Sequence, residues 1–393
     1  MQEYILNLSI VTTYRRLIFG KRYSVQSEAF DNTLIPSPAN KKIIIMSDIK
    51  SLLERLSNAH GGSGYESNII KIIEKEIRQF VDEIRIDKMG NLIATKNGGS
   101  PSLMLAAHMD EIGLMAKYVD DKGFIYFTKT GGWFDQTLLS QRMILHTENG
   151  PIYGVIGSKP PHVMKDEEAK KLIKAEDMFI DIGAKSKVDA DKMGVRPGTP
   201  ITSDTEFKSL GNDLVTGKAL DDRGGCAVLI EALRRIKDVK ATLHVVFTVQ
   251  EEVGLKGART SAFGLNPDVA LVSEVTFTGD HPGIELKDQA LDIGKGPVIT
   301  VSDAEGDGII VPENVLKWLK NAAGSNIPYQ LKVGSKGQTD ASIIHLSREG
   351  IPTGVISTPS RYIHTPVNVL SMEDLENSVN LVVRAVETVD EFF

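Results

Sequence analysis

The sequence predicts an α/β protein interrupted by a small β-rich module. Three observations predict it. Apolar runs at 102–107, 242–249 and 269–273 read as buried strands, alternating with helical stretches. Between about Tyr118 and Ser209 the pattern changes to short β-like runs broken by Asp120-Asp-Lys-Gly123, Gly131-Gly132 and Asn149-Gly150. Acidic and histidine residues then close the apolar strands, where open α/β sheets gather their ligands.

The elements follow in order. A helix is expected over Ser47–Ala59, then the turn Gly61-Gly-Ser-Gly64 and a helix carrying Ile69, Ile70, Ile73, Ile77 and Phe80. Ile84-Arg-Ile86 and Asn91–Thr95 read as strands joined at Lys88-Met-Gly90. The strand 102–107 delivers His108. One charged helix near Lys165–Lys174 interrupts the β-rich stretch. Beyond Leu214-Val-Thr-Gly217 come a helix over Gly224–Arg235, the strands 242–249 and 269–273, and a helix from Pro312 to Gly324. A short strand at Gly354–Ser357 precedes the last helix, which Ser371 opens with Asp374 completing a capping-box variant. Its stripe Leu375, Val379, Val382, Val386 and Val389 is expected on the sheet.

Composition narrows the function. The chain has 393 residues, a net charge of -7 and 41% hydrophobic residues, enough for two domains and a large core. That charge excludes a general nucleic-acid binder, which needs a basic footprint. The single cysteine, Cys226, leaves no internal disulfide or cysteine-based metal site and predicts a reducing, cytoplasmic setting. Residues 1–45 read as an N-terminal extension without a bilayer-spanning run or secretory signal, so no membrane association is expected.

The chemistry-bearing residues fall into two acidic pairs and two histidine segments. Glu251-Glu252 ends a strongly apolar strand, Asp221-Asp222 sits on a turn before a helix, and His108-Met-Asp110 closes another strand. His364 lies in Arg361-Tyr-Ile-His-Thr-Pro366. A lone histidine reads as surface or satisfied core, which is the reading for His60, His146, His244, His281 and His345; His162 is ambiguous. A dinuclear centre needs a bridging carboxylate between two cations. Asp221 is placed to bridge, with Glu252 and His364 completing one site and His108 and Glu274 the other. Asp110 would orient His108. One glutamate of the pair binds while its neighbour holds a proton. Asp222 shapes the turn, with a cis peptide between the aspartates, or ligates weakly; Arg223 and Lys159 either contact substrate or form structural ion pairs.

Six segments then match one family in order: Ala107-His-Met-Asp-Glu-Ile-Gly113, Gly157-Ser-Lys-Pro-Pro-His162, Gly217-Lys-Ala-Leu-Asp-Asp-Arg-Gly224, Gln250-Glu-Glu-Val-Gly254, Thr339-Asp-Ala341 and Tyr362-Ile-His364. From about Met46 onward the chain resembles the M42 peptidases, metal-dependent aminopeptidases. The resemblance implies a three-layer, mixed-sheet, zinc-exopeptidase-like catalytic domain over 46–117 and 209–393. It also implies an inserted PDZ-like or barrel-like oligomerisation domain over 118–208. It implies two divalent metal ions, zinc or cobalt, on His108, Asp221, Glu252, Glu274 and His364, with Glu251 as general base and Asp110 orienting His108. Peptide substrates and a homo-oligomer, up to a dodecamer, are implied too. Two positions depart from the family: Glu274 replaces the usual Asp, and Gln338 the second glycine of a pair. Rival readings are a deacylase of small non-peptide amides, a metal-free glycoside hydrolase using two carboxylates, and a non-catalytic scaffold.

Overall fold

A computed structural model describes residues 49–393 apart from 238, 305–307 and 335–336. The expected extension over 1–45 and the helix start at Ser47 lie outside the described residues. Residues 49–58 are helical, and Ile49, Leu52, Leu53 and Leu56 bury the stripe that their spacing predicts. Ser67–Ile77 forms the next helix and buries Ile69, Ile73 and Ile77; a 3-10 turn over Arg78–Phe80 follows it.

Strands β1 (Glu83–Ile86), β2 (Leu92–Lys96) and β3 (Gly99–His108) open the main sheet. The chain then leaves it for six strands: β4 (Gly113–Val119), β5 (Ile125–Thr130), β6 (Arg142–Thr147), β7 (Gly150–Ile156), β8 (Ile180–Asp181) and β9 (Pro200–Ser203). These close into a barrel in the order β4-β5-β8-β7-β6-β9 around Leu114, Ile125, Met143, Leu145, Ile156, Ile180 and Ile201. The chain returns through β10 (Lys208–Ser209), β11 (Leu214–Gly217), β12 (Ala241–Thr248), β13 (Val269–Phe277), β14 (Val298–Asp303), β15 (Gln330–Gly334), β16 (Thr353–Arg361) and β17 (Asn368–Ser371).

The main sheet runs β1-β2-β12-β3-β13-β16-β17-β11-β10, with β14 joining β16 and β15 at its side. Its centre, β12-β3-β13-β16, is parallel, and the flanking pairs β1-β2, β2-β12, β16-β17 and β11-β17 are antiparallel. Residues Leu103–His108 of β3 and Val269–Thr276 of β13 are buried on both faces, which requires helices on either side of the sheet. Helices Leu220–Arg235 and Met372–Thr388 pack on each other and on the sheet, while Lys256–Leu265 packs on β12 and on the short helix Ala341–Ile344. The parallel register sets Thr248 beside His108 and Glu274 beside Ser357, so the same ends of the strands share one rim.

Several elements differ from expectation. The charged helix near Lys165–Lys174 is one turn, Asp166–Ala169, because so short a charged segment does not offset the cost of nucleating a helix. Strand β13 runs on to Phe277, held in register by β16, so Glu274 lies inside the strand and not after it. Ser371 caps the last helix, its Oγ accepting from the N–H groups of Glu373 and Asp374. Asp374 does not return the bond: its carboxylate accepts from the Gly294 and Gly296 N–H groups instead. No helix among the described residues is long and apolar enough to cross a membrane.

The helix Glu313–Ala323 follows Pro312 and stops at Gly324, as expected, and docks through the fully buried Trp318. The Trp318 indole donates to the Ala385 carbonyl at 2.9 Å and meets Phe393 edge-on. Trp318→Ala should therefore destabilise the chain by about 3–5 kcal/mol. A lowered urea midpoint would register this, and an unchanged midpoint would show that the helix docks without it.

Candidate functional site

Four strand ends converge on a cavity of about 480 Å³ lined by His108, Asp221, Glu251, Glu252, Glu274 and His364. His108 is the last residue of β3, Glu251 and Glu252 follow β12, Glu274 comes from β13, and His364 follows β16. Asp221 stands at the distorted start of Leu220–Arg235, where the Asp221–Asp222 peptide is cis and both residues leave helical geometry.

Asp221 is the shared member of two groups. His108, Asp221 and Glu274 form one, and Asp221, Glu252 and His364 the other, each with its ligand atoms within 4.8 Å of one another. His108 Nε2 lies 3.2 Å from Asp221 Oδ1 and 3.8 Å from Glu274 Oε1. His364 Nε2 lies 3.4 Å from Asp221 Oδ2 and 3.8 Å from Glu252 Oε2. Glu251 belongs to neither group; its Oε2 sits 3.9 Å from His108 Nε2.

Burial pushes the Glu251, Glu252 and Glu274 carboxyls well above the usual range, and neighbouring carboxylates add to the effect while His108 opposes it. For His108 burial acts downward, but Glu251, Glu274, Asp110 and Asp221 outweigh it and lift the imidazole well above its ordinary value. So many acids ionise together in one cavity only beside compensating cations. Glu252 Oε1 is buried with no hydrogen-bond partner, an acceptor left for such a cation. Imidazole and carboxylate donors around open cavity space fit a divalent metal.

Asp110 is fully buried beneath this cluster. His108 Nδ1 is 3.1 Å from the Asp110 carbonyl and 3.5 Å from its carboxylate. That carboxylate accepts from the N–H groups of Glu251 (2.9 Å) and Glu252 (3.3 Å) and from Ser63 Oγ (2.6 Å). Burial works to raise its pKa, but His108, Ser63 and the Glu251 N–H hold it below the usual value. Asp222 turns away from the cluster, accepting the Gly225 N–H at 2.9 Å, and joins neither group. A Cβ at Gly225 would stand 2.3–2.6 Å from the Asp222 carboxylate and the Ser273 carbonyl, so only glycine fits. From the barrel side, a Cβ at Gly132 would stand 2.6 Å from His364 Nδ1.

Arg223 does not line the cavity. It is fully buried, donating to the carbonyls of Met109 (2.9 Å), Leu56 (2.5 Å) and Ala59 (3.2 Å). With Lys218 it encloses the buried Glu111, whose Oε2 is 2.8 Å from Lys218 Nζ. Lys159 and His162 are exposed beyond β7 and do not line the cavity, whereas Gln338 does, beside Gly337 and Thr339. Lys332, paired with the buried Asp303 at 2.8 Å, and Phe277 also line the cavity. Sequence reasoning missed Ser63, Glu66, Glu111, Lys218 and Asp340. Asp340 is buried near Glu251, takes a hydrogen bond from Thr248 and is pushed by burial to about 6. Of these, only Glu111, Lys218 and Asp340 gave a signal, each standing inside a motif already singled out.

A parallel-centred sheet with this histidine–carboxylate cluster on its rim has the arrangement of a metal-dependent hydrolase, and comparison narrows it to one family. The profile of the M42 glutamyl aminopeptidases matches residues 90–381. A lysyl aminopeptidase of Pyrococcus furiosus is 34% identical, the match covering 84% of this chain and 94% of that one. The structure of an aminopeptidase from the archaeon Desulfurococcus kamchatkensis superposes with a TM-score of 0.83 at 41% identity, covering 87% and 95%. The TET1 peptidase of Pyrococcus horikoshii, described as assembling into a tetrahedron or a large octahedral shell, is 34% identical with a TM-score of 0.77, covering 86% and 99%. The chain belongs to the M42 peptidase family and is an aminopeptidase.

His60 and His146 lie outside the cluster and share Thr202 Oγ1, at 2.9 and 2.8 Å. Burial, followed by the charge of Lys218, lowers His60 from 6.5 to about 4. The unfolded chain therefore takes up this proton first, and the contribution of neutral His60 is intact above pH 6.5 and lost as pH falls toward 4. His60→Gln should lose melting temperature less steeply than the native chain across that window. Parallel melting curves against pH would exclude His60 as a source of the acid sensitivity.

Proposed function

We propose that this aminopeptidase is a dinuclear metal enzyme removing single residues from peptide N-termini, with Glu251 as its general base. The observation that carries this reading is the sharing of Asp221 between two histidine–carboxylate groups. His108, Asp221 and Glu274 would hold one divalent cation, and Asp221, Glu252 and His364 the second, with zinc or cobalt suited to these nitrogen and oxygen donors. When bound, the cations supply Lewis acidity at the scissile carbonyl and at the attacking water.

The protein side chains do the rest. Glu251, outside both ligand groups and facing the same cavity, takes the proton of the attacking water and passes it to the departing amine nitrogen. Its neighbour Glu252 stays fixed by its backbone N–H on Asp110. The acidic lining favours the substrate ammonium, which limits cleavage to one residue at a time. Gln338 and the Lys332–Phe277 wall are placed to meet the first side chain.

The segment around the barrel serves assembly in this reading, in a homo-oligomer like that of the related shell-forming peptidase. Exposed Phe134, Tyr153 and Leu172 supply apolar surface for it. The single buried thiol of Cys226 suits a reducing cytoplasm.

Hydrolysis of an aminoacyl-p-nitroanilide panel, before and after chelation, tests the activity. Release should vanish with chelator and return with zinc or cobalt. Turnover of N-acyl amino acids alone would instead identify a deacylase, and release untouched by chelators would remove the metals from the mechanism. Glu251→Gln should keep its metals, counted by elemental analysis, and lose at least about 100-fold in kcat. A near-normal rate in that variant would move the base elsewhere.

A further inference from the structure

The turn from Gly61 to Glu66 lines no part of the catalytic cavity, yet it grips the segment that presents both glutamates. Gln250, Glu251 and Glu252 each direct a backbone N–H at a carboxylate. Gln250 donates to Glu66 Oε1 at 3.2 Å, and the next two donate to the two oxygens of Asp110. The turn holds both acceptors. Ser63 Oγ donates to Asp110 Oδ2 at 2.6 Å, and the Gly64 N–H donates to Glu66 Oε1 at 2.7 Å.

The same turn is tied to the strand that carries His108. Glu111 donates its N–H to the Gly61 carbonyl at 3.0 Å, and its carboxylate accepts the Gly61 N–H at 2.9 Å. Ser63 and Glu66 are nearly as inaccessible as core residues, although neither belongs to an apolar stripe. Gln250 adopts a left-handed φ of 56°, which a residue with a Cβ keeps only when its surroundings hold it. The Gln250 bond to Glu66 is one such hold, at the point where the chain turns off β12 toward the cluster.

We propose that Ser63 and Glu66 are positioning residues that fix the base and the neighbouring ligand by bracing Asp110 and the Gln250–Glu252 backbone. This rests on the aminopeptidase reading with Glu251 as base. Ser63 acts through Asp110, which faces His108 as well as the two glutamates, so its loss loosens both halves of the cluster. Glu66 holds the Gln250 backbone directly and reaches Asp110 only through the turn it shares with Ser63, so its loss falls mainly on the orientation of Glu251 and Glu252.

Ser63→Ala, Ser63→Thr and Glu66→Leu in the full-length chain test it, with kcat, KM, melting temperature and zinc affinity measured by competition against a chromophoric chelator. Ser63→Ala should lower kcat or zinc affinity about 10–100-fold with KM unchanged, as removal of groups that orient metal ligands does. Ser63→Thr, which keeps the hydroxyl, should recover most of that loss. Glu66→Leu should lower kcat more than zinc affinity.

Wild-type kcat and zinc affinity in Ser63→Ala would overturn the proposal. So would a fall in melting temperature alone, which would leave Ser63 a purely structural role. If Glu66→Leu does not fold, the Ser63 pair still decides. If the native chain cleaves no aminoacyl substrate, the functional reading fails, while the ratio of zinc affinities still decides whether Ser63 braces the cluster.

Discussion

The carboxylate of Asp110 is the constraint on which the rest of the site depends. Strands β3 and β12 run parallel and side by side, and beyond Thr248 the ladder between them ends. From there the N–H groups of Glu251 and Glu252 have no strand to pair with. Asp110 supplies both acceptors from the neighbouring strand end, and it is charged, so the bonds are stronger than neutral ones. One buried side chain therefore sets the direction in which two glutamates leave the sheet. Its own position comes from Ser63 and from the backbone turn that also meets His108 Nδ1.

Behind Asp110 lies a second charged layer. Glu111 is enclosed by Lys218 and Arg223, both from the segment that leads into and through Asp221-Asp222. Each cation also donates to carbonyls at the end of the 49–58 helix. A buried ion pair of this kind is poor evidence for stability, because desolvation offsets most of its attraction. Its consequence here is geometric: it joins the chain after β3, the chain before Leu220–Arg235 and the first described helix at one point. Burial lowers His60 on this side and the same cations add to it, whereas the carboxylates on the cavity side favour a protonated imidazole at His108.

Much of this was legible in the sequence because chemistry and burial coincide there. Unbroken apolar runs read as strands buried on both faces, and acids or histidines directly after them fall on the rim of a parallel sheet. That logic brought His108, Asp221, Glu251, Glu252, Glu274 and His364 to one cavity. It failed where a pattern is inverted or a partner is remote. In β15 the apolar Leu331 and Val333 face outward and Lys332 inward, the reverse of what alternation predicts, so the strand went unseen. Arg223 stands next to the acidic pair, where the sequence leaves a substrate contact and a structural ion pair equally open; only its buried partners, the three carbonyls more than a hundred residues away among them, decide for the internal role. Ser63 reads as part of a plain glycine turn for the same reason, since its partner Asp110 is 47 residues on.

The price of such a cavity is carried by the fold. Three glutamates that burial pushes upward, with Asp222 raised beside them, would ionise at the cost of mutual repulsion if nothing opposed it. Two features keep the chain from relieving that repulsion. The parallel centre of the sheet fixes Glu274 within β13 and Glu251 and Glu252 just beyond β12, so they cannot relax apart without breaking register. The glycines at 132 and 225 let neighbouring groups close in where any side chain would hold the cluster open. What repulsion remains becomes affinity for a compensating cation, because any species that binds only the folded chain stabilises it. The electrostatic tension in the cavity and its capacity to hold metal are thus one property, and the rigidity of β3, β12, β13 and β16 is what prevents the chain from escaping it.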